Sequence, residues 1–337
     1  MQIINSKVRT PIAVGVFLVI VFMLLPLGSC KFRTIERIEE TRELMGTYVS
    51  ITVFSDEETG NKAIDSAFSR MQEIVDIASI YDENSEVSML NKNGYLDDPS
   101  PEFLELINAS IYYYNITSGC FDITVQPIIK LYDEGIWKES EEVQDEKIGE
   151  ALGFVGSDKI SVTDDRIEFL ADGMSITLNA IAKGYAVDEA IEVIKGYGIK
   201  QALVNAGGDL YAMGTKADGE KWVVELEDPD DSESTIAAFI VADRAVTTSG
   251  GYHRYYDLEE KATHIIDPRI GFSPHGCIST TIIEDSCMEA DALATSVFVM
   301  GPGDGMELVE SLENVEALII DTDGKIFKSS GLLEYIE

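Results

Sequence analysis

Two residues in an apolar helical segment have side chains suited to chemistry. Residues 288–301, MEADALATSVFVMG, have the spacing of a core helix, yet Asp291 and Thr295 lie four positions apart and share one of its faces. A buried, unpaired carboxylate is costly, so this face is expected to hold something. A carboxylate and a hydroxyl are hard oxygen donors, which suit Mg²⁺ when water and phosphate complete its shell. The structural alternative is that Asp291 caps its own helix.

Other polar groups lie where structure alone does not favour them. Lys183, in AIAKGY, falls in the first turns of a predicted helix, where a cation opposes the helix dipole, so we expect it to have an anionic partner. The Gly-Gly turn of NAGGDL (205–210) and the run TTSGG (247–251) are candidate backbone cradles for an anion. The loop HIIDPR adds His264, Asp267 and Arg269.

The elements that must position these residues indicate an α+β fold. Helical spacing is found at 61–79, 101–119, 144–152, 179–200 and 288–301, and strand patterns at 46–54, 156–178, 201–214, 222–229, 234–251, 277–284 and 317–330, with an acidic surface loop predicted at 228–234. Residues 79–94 are polar and rich in turn formers. Because strands follow one another in pairs between long helices, we predict a single unit of largely antiparallel sheets with packed helices, and leave a division into two lobes open.

Composition excludes some partners. The chain has 61 Asp and Glu residues against 25 Lys and Arg, a net charge of −36, so a nucleic acid would be repelled. An anionic ligand would need a metal ion or a few local basic side chains. With only 3 histidines and no CxxC pair, a histidine-rich or zinc site is not expected.

The N-terminal segment is typical of an exported lipoprotein. Basic Lys7 and Arg9 precede an apolar run that ends in Leu-Gly-Ser-Cys at Cys30, which resembles a bacterial lipobox. We therefore predict a signal peptide over 1–29, a lipidated Cys30 with a tether over 30–43 (or a first strand in the same segment), and the catalytic domain over 44–337. The alternative is an uncleaved membrane anchor. Either way, the domain is expected on the outer face of the cytoplasmic membrane or in the periplasm.

Three cysteines remain after Cys30, which argues against a disulfide framework. At most one bridge can form, and whether Cys277 and Cys287 pair is left open.

Several short motifs, in order, resemble the ApbE family of FAD:protein FMN transferases. They are LMGTYVSITVF, SIYDENSEVSMLN, GCFDITVQPI, LNAIAKGYAVD, LVNAGGDLYAMG, AVTTSGGYHRY, HIIDPR and CMEADALAT, between about residues 44 and 310. The resemblance implies an ApbE-like fold and Mg²⁺-dependent transfer of FMN from FAD to a Ser or Thr hydroxyl of an exported acceptor flavoprotein, with a phosphoester formed and AMP released.

The resemblance also assigns residues. Its metal ligands fall on Asp291, Thr295 and the backbone carbonyl of Ala180, with Asp291 and His264 as the catalytic residues. Its flavin contacts fall on Met45, Tyr81, Cys120, Phe121, Asp122, Lys183, His264 and Ile266. Two alternatives stay open: an Mg²⁺-dependent FAD pyrophosphatase, in which water replaces the acceptor, and a flavin-binding lipoprotein without turnover.

Overall fold

Fifteen strands and seven α-helices make up the described chain. The computed structural model describes residues 34–228, 231–251, 255–257 and 262–336. The helices are α1 (Glu57–Ala78), α2 (Glu86–Asn93), α3 (Pro101–Ile116), α4 (Gln126–Asp133), α5 (Glu141–Leu152), α6 (Ala182–Gly196) and α7 (Cys287–Ser311). The strands are β1 (Glu36–Leu44), β2 (Thr47–Ser55), β3 (Tyr95–Asp97), β4 (Ile160–Thr163), β5 (Arg166–Phe169), β6 (Ala202–Ala206), β7 (Asp209–Met213), β8 (Trp222–Asp228), β9 (Asp231–Val241), β10 (Arg244–Gly250), β11 (Tyr255–Asp257), β12 (Ala262–Thr263), β13 (Cys277–Glu284), β14 (Glu316–Asp321) and β15 (Ile326–Lys328).

One eight-stranded sheet organises the fold. Its strand order is β1-β2-β6-β7-β10-β13-β14-β15, and every neighbouring pair is antiparallel. The other strands form a three-stranded sheet, β3-β5-β4, and two hairpins, β8-β9 and β11-β12. The prediction of an α+β fold with largely antiparallel sheets is confirmed.

Both faces of the main sheet are buried. Ala245 and Ile282 contribute to a core with α1, α6 and α7, whereas the next residues along the same strands, Val246 and Ile283, contribute to a second core. Trp222 and Phe239 of the β8-β9 hairpin close that second core. This alternation is the period-two pattern of a strand covered on two sides. It leaves α6 and α7 packed together on one face, where the candidate site lies.

Helix boundaries follow local capping chemistry. Ser100 caps α3 by accepting from the backbone N–H of Phe103 at 3.2 Å, and Pro101 occupies the first helical position. α7 is broken at Gly301, whose φ of 80° is non-helical, and it continues from Pro302. Within the described residues, no helix is both long enough and apolar enough to cross a membrane.

Two sequence predictions need correction. Of the two alternatives given for the segment before residue 44, the first strand is confirmed and the tether is wrong for residues 36–43. These residues form most of β1, which pairs with β2 from Glu36↔Ser55 to Leu44↔Thr47. An edge strand can carry charge on both faces, so its composition is similar to that of a linker. The polar segment 79–94 contains α2, which begins after Ser85 and ends at the left-handed Gly94. Only Val87 and Leu90 of α2 are buried, too few for a visible helical period.

The remaining cysteine question is settled for the described chain, where Cys120, Cys277 and Cys287 are buried free thiols. The predicted signal peptide and Cys30 lie outside the described residues.

Candidate active site

The candidate site lies where the first turns of α6 and α7 meet. Ser286 caps α7 by accepting from the N–H of Glu289 at 3.3 Å, so Asp291 lies more than a turn inside the helix. The capping alternative for Asp291 is therefore wrong for its own helix. Gly184 of α6 packs directly on α7, because a Cβ there would lie 2.2 Å from the carbonyl oxygen of Cys287. Only glycine allows so close an approach.

Asp291 is a buried carboxylate directed at the start of α6. Only 3% of the residue is exposed, and its Oδ2 accepts the backbone N–H of Gly184 at 3.2 Å. Burial, and next the neighbouring carboxylate of Asp209, raise the pKa of Asp291 to about 7, against the opposing effects of Lys183 and the Gly184 N–H. The sequence predicted that Asp291 is a buried carboxylate with a partner, and the structure confirms both.

Lys183 supplies the positive charge of the cluster. It is the second residue of α6, and its ammonium group pairs with Asp209 at the start of β7 and lies 3.9 Å from Oδ2 of Asp291. Burial alone would lower the pKa of Lys183, but Asp209 and Asp291 outweigh it and raise that pKa. The expected anionic partner of Lys183 is therefore present, as two buried carboxylates.

Thr295 lies one helical turn after Asp291 on α7, and Ala180 lies three residues before Lys183 in the chain. The hydroxyls of Thr295 and Ser249, on β10, are 3.2 Å apart, which connects the third turn of α7 to the sheet. Ala180 lies half-buried in the turn that leads into α6. The run at 247–250 is a regular strand paired with β13, so the prediction of a backbone cradle there is wrong for those residues. The Gly-Gly pair at 207–208 is the turn of the β6-β7 hairpin.

The oxygen donors of these residues suit a hard divalent cation that takes only a few of its ligands from the protein. Asp291 and Asp209 are buried carboxylates, Thr295 and Ser249 offer hydroxyls, and Ala180 offers a carbonyl oxygen. Oxygen donors in small number suit Mg²⁺, which keeps several waters and binds phosphate. Among the described residues, no cluster of three or more His, Cys, Asp or Glu side chains is arranged for a metal. The oxygen donors named above would suit a cation that completes its shell with water and a phosphate ligand.

The predicted flavin contacts at 120–122 are built into the core. Cys120 and Phe121 are each 2% exposed, and burial raises the pKa of the Cys120 thiol to about 11. The carboxylate of Asp122 accepts from the hydroxyls of Thr124 and Ser157, both at 2.6 Å. These bonds fix the turn, so a ligand would meet mainly its backbone.

Met45 and Tyr81 are more accessible. Met45, at the β1-β2 turn, has a φ of 55° and packs partly against the main core. Tyr81 is 81% exposed, and its backbone N–H donates to the hydroxyl of Ser79 at 3.2 Å. An exposed tyrosine ring is available to cover a planar ligand.

The loop after β12 carries the last predicted contacts. His264 is half-buried, and Ile266 is buried against α4 and α5 in a small apolar cluster with Ile128. Asp267 and Arg269 form a bidentate pair with each other, at 2.9 and 2.7 Å, so they stabilise this loop. The contacts described above bring Lys183 and Asp291 together. Thr295 shares a face of α7 with Asp291 and contacts Ser249, whereas the contacts of Tyr81 and Asp122 are made to other residues.

Sequence reasoning missed two carboxylates. Asp209 directly follows the Gly-Gly turn at 207–208, and this place was the only local signal, since its partner Lys183 is 26 residues away along the chain. Asp188 accepts from the start of α7 and is the last residue of the AVD motif. No local sequence pattern indicates the partner of Asp188, because that partner is about a hundred residues away along the chain.

The chain belongs to the ApbE family, whose sequence profile matches residues 45–319. Among curated relatives, the FAD:protein FMN transferase of Vibrio cholerae is 28% identical over 91% of this chain and 94% of its own length. The protein of that name from Treponema pallidum is 26% identical, with 94% of each chain covered.

Solved structures of the family have the same fold. The ApbE protein of Thermotoga maritima matches with a TM-score of 0.81 and 30% identity, over 90% of this chain and all of that one (100%). The flavin transferase ApbE of Vibrio cholerae matches with a TM-score of 0.78 and 26% identity, over 89% of this chain and 99% of that one.

Proposed function

We propose that this protein transfers the FMN half of FAD to a Ser or Thr hydroxyl of an exported acceptor flavoprotein, and that AMP is released. The observation that carries the proposal is the Lys183–Asp209–Asp291 cluster at the α6–α7 contact, in a chain whose relatives are FAD:protein FMN transferases. A strongly acidic protein needs such a local arrangement to accept an anionic pyrophosphate.

The residues that would hold Mg²⁺ are Asp291, Thr295 and the carbonyl of Ala180. When bound, the ion would neutralise pyrophosphate charge and polarise the flavin-side phosphorus. Lys183 would hold a phosphate or ribose oxygen, since its side chain is a third exposed while its ammonium group pairs with the buried Asp209. The helix start at Gly184 adds partial positive charge in the same place.

The transfer is an in-line displacement at phosphorus. The acceptor oxygen forms a bond to the flavin-side phosphorus, the P–O bond to AMP breaks, and the hydroxyl proton leaves to a base. We assign that base to His264 or to a carboxylate of the site, and the pH–rate profile of His264→Gln would decide between them. Tyr81 and Met45 would cover the flavin ring, with Ile266 and the Cys120–Phe121–Asp122 turn along its edge.

The proposed location follows from the N-terminus. The segment 1–29 would direct export of the enzyme, and a lipid on Cys30 would anchor it to a membrane. The enzyme would then lie on the outer face of the cytoplasmic membrane or in the periplasm, within reach of an exported acceptor. Fatty-acid labelling of the cells should mark the wild-type protein and leave Cys30→Ala unlabelled; equal labelling of both would exclude this anchor.

The test of the function uses FAD, Mg²⁺ and a Ser/Thr-containing acceptor domain. Intact-mass spectrometry follows the acceptor, and chromatography follows AMP. We expect the acceptor to gain one FMN, and we expect EDTA or Asp291→Ala to abolish this gain. AMP and free FMN with an unmodified acceptor would support the pyrophosphatase instead, and bound but uncleaved FAD would leave only a flavin-binding protein.

A further inference from the structure

The residues of the proposed site come from two separate segments of the chain. Ala180 lies in the turn that leads into α6 and Lys183 lies in the first turn of that helix, whereas Asp291 and Thr295 lie on α7. A helix that slides by one residue moves its side chains by about 1.5 Å, and metal sites tolerate deviations of only a few tenths of an ångström. The relative position of α6 and α7 must therefore be fixed by something other than the ligands.

Asp188 is placed to fix it. Its Oδ1 accepts the backbone N–H of Cys287 at 2.9 Å, and its Oδ2 accepts the N–H of Met288 at 2.9 Å and the hydroxyl of Ser286 at 2.8 Å. All three donors are at the start of α7, while Asp188 itself is on α6. One carboxylate thus binds the end of one helix to the side of the other.

This contact works together with Gly184. The two residues are four positions apart and share one face of α6. Gly184 sets how closely the helices approach, through its contact with Cys287, and Asp188 sets their position along the axis. Asp291, four residues after Cys287, then meets the N–H of Gly184 at 3.2 Å.

We propose that Asp188 is a positioning residue of the metal site, because it fixes the register of α7 against α6 and so places Asp291 and Thr295 opposite Ala180 and Lys183. This inference rests on the proposed function, since it assumes a divalent cation at Asp291. A role in stability alone would be that of any helix cap. A positioning role predicts that the metal affinity falls when the cap is weakened, whereas a role in stability alone predicts an unchanged metal affinity.

The experiment compares two Asp→Asn variants of the full-length chain in detergent. Asp188→Asn keeps the size of the side chain but replaces one acceptor oxygen by an amide. The matched control is Asp56→Asn, since Asp56 caps α1 by accepting from the N–H of Thr59 at 3.3 Å, at a helix start that contributes no proposed ligand. Mn²⁺ binding is followed by the loss of the free Mn²⁺ resonance, and thermal unfolding is followed in parallel.

We expect Asp188→Asn to weaken Mn²⁺ binding about tenfold, and we expect Asp56→Asn to bind Mn²⁺ like the wild type. Ser286→Ala removes one of the three donors to Asp188 and should weaken binding in the same direction by less, which keeps a test available if Asp188→Asn does not fold.

The contrary outcomes are distinct. If the wild type binds Mn²⁺ and Asp188→Asn binds it equally well, despite a lower unfolding temperature, Asp188 is a structural cap and the inference is overturned while the proposed function stands. If the wild type itself binds no Mn²⁺ with FAD present, the metal site of the proposed function fails, and the inference fails with it.

Discussion

The backbone N–H of Gly184 donates to Oδ2 of Asp291 at 3.2 Å, across the contact between α6 and α7. This bond exists because residue 184 has no side chain, which lets the two helices approach to backbone contact. The buried carboxylate noticed in the sequence is thus held by another helix, not by its own.

A methyl group at residue 184 should separate the helices. In Gly184→Ala, the Cβ would lie 2.2 Å from a backbone oxygen that has no flexible end to move aside. We expect a loss of on the order of 2–3 kcal/mol in the free energy of unfolding, measured by urea denaturation, together with loss of transferase activity.

The matched control lies in the same helix. At Gly196 a Cβ meets nothing within 4 Å, so Gly196→Ala should leave stability unchanged or raise it by about 0.5–1 kcal/mol. Equal stability of Gly184→Ala and the wild type would show that the helices can separate at no cost.

The Lys183–Asp209 pair should be strongly coupled. Lys183→Met leaves the buried carboxylates of Asp209 and Asp291 without their cation, so it should lower the free energy of unfolding by about 3–5 kcal/mol. Asp209→Asn should cost less, because Lys183 keeps Asp291 at 3.9 Å. The double variant should lose less than the sum.

A double-mutant cycle in urea measures this coupling. Lys195→Met with Glu192→Gln, an exposed pair on the same helix at 2.6 Å, is the control cycle and should give about 0.5 kcal/mol or less. Additive losses at Lys183 and Asp209 would contradict the prediction.

Asp291→Asn should lower the transferase activity strongly while it changes the stability of the fold little. The amide keeps the shape of the side chain and an oxygen that can accept from Gly184, so the free energy of unfolding should change by about 1 kcal/mol or less. AMP release should fall on the order of 100-fold or more, because a neutral oxygen replaces the only charged ligand proposed for Mg²⁺. Full activity of this variant would remove Asp291 from the proposed mechanism.

Stability should depend on pH through Glu284. Burial, with the nearby carboxylates of Glu289 and Asp188, raises its pKa to about 7 from an ordinary value of 4.5. Because the folded state holds the proton more tightly, the stability contributed by this group is full below pH 4.5 and is lost as the pH rises through 7. As the pH rises from about 4.5 to 8, the free energy of unfolding of Glu284→Gln should therefore increase relative to that of the wild type, by on the order of 3 kcal/mol.

Chemical denaturation at several pH values measures the difference between the two proteins. Glu142→Gln, at an exposed position of α5, controls for the removal of a negative charge. A difference between wild type and Glu284→Gln that does not change with pH would contradict the assignment.

Sequence patterns were sufficient where structure is local. The Gly-Gly hairpin at 207–208, the helix around Asp291 and the α+β arrangement follow from spacing and turn formers, and the structure confirms each of them. The partner of Lys183 was predicted by charge alone, because a lysine at a helix start needs a nearby anion.

The rest depends on contacts between distant residues. The bond from Asp188 to the start of α7 joins segments that eight strands, β6 to β13, separate in the described chain, so no period or motif indicates it. The sequence could not decide between a strand and a tether for β1 for a different reason, since an edge strand with exposed charges lacks the alternation that marks a half-buried strand.

The order of strands in the main sheet has a kinetic consequence. β2 lies beside β6, and all of α1 to α6 intervene between them in the chain. Bringing β2 and β6 together closes a long loop, which costs conformational entropy before the strands can pair. Proteins dominated by contacts between residues distant in sequence fold at the slower end of the observed range of rates. Asp291 cannot meet Lys183 until the chain has been made almost to its end, so the nascent protein stays without a working site and exposes long apolar strands for most of its synthesis.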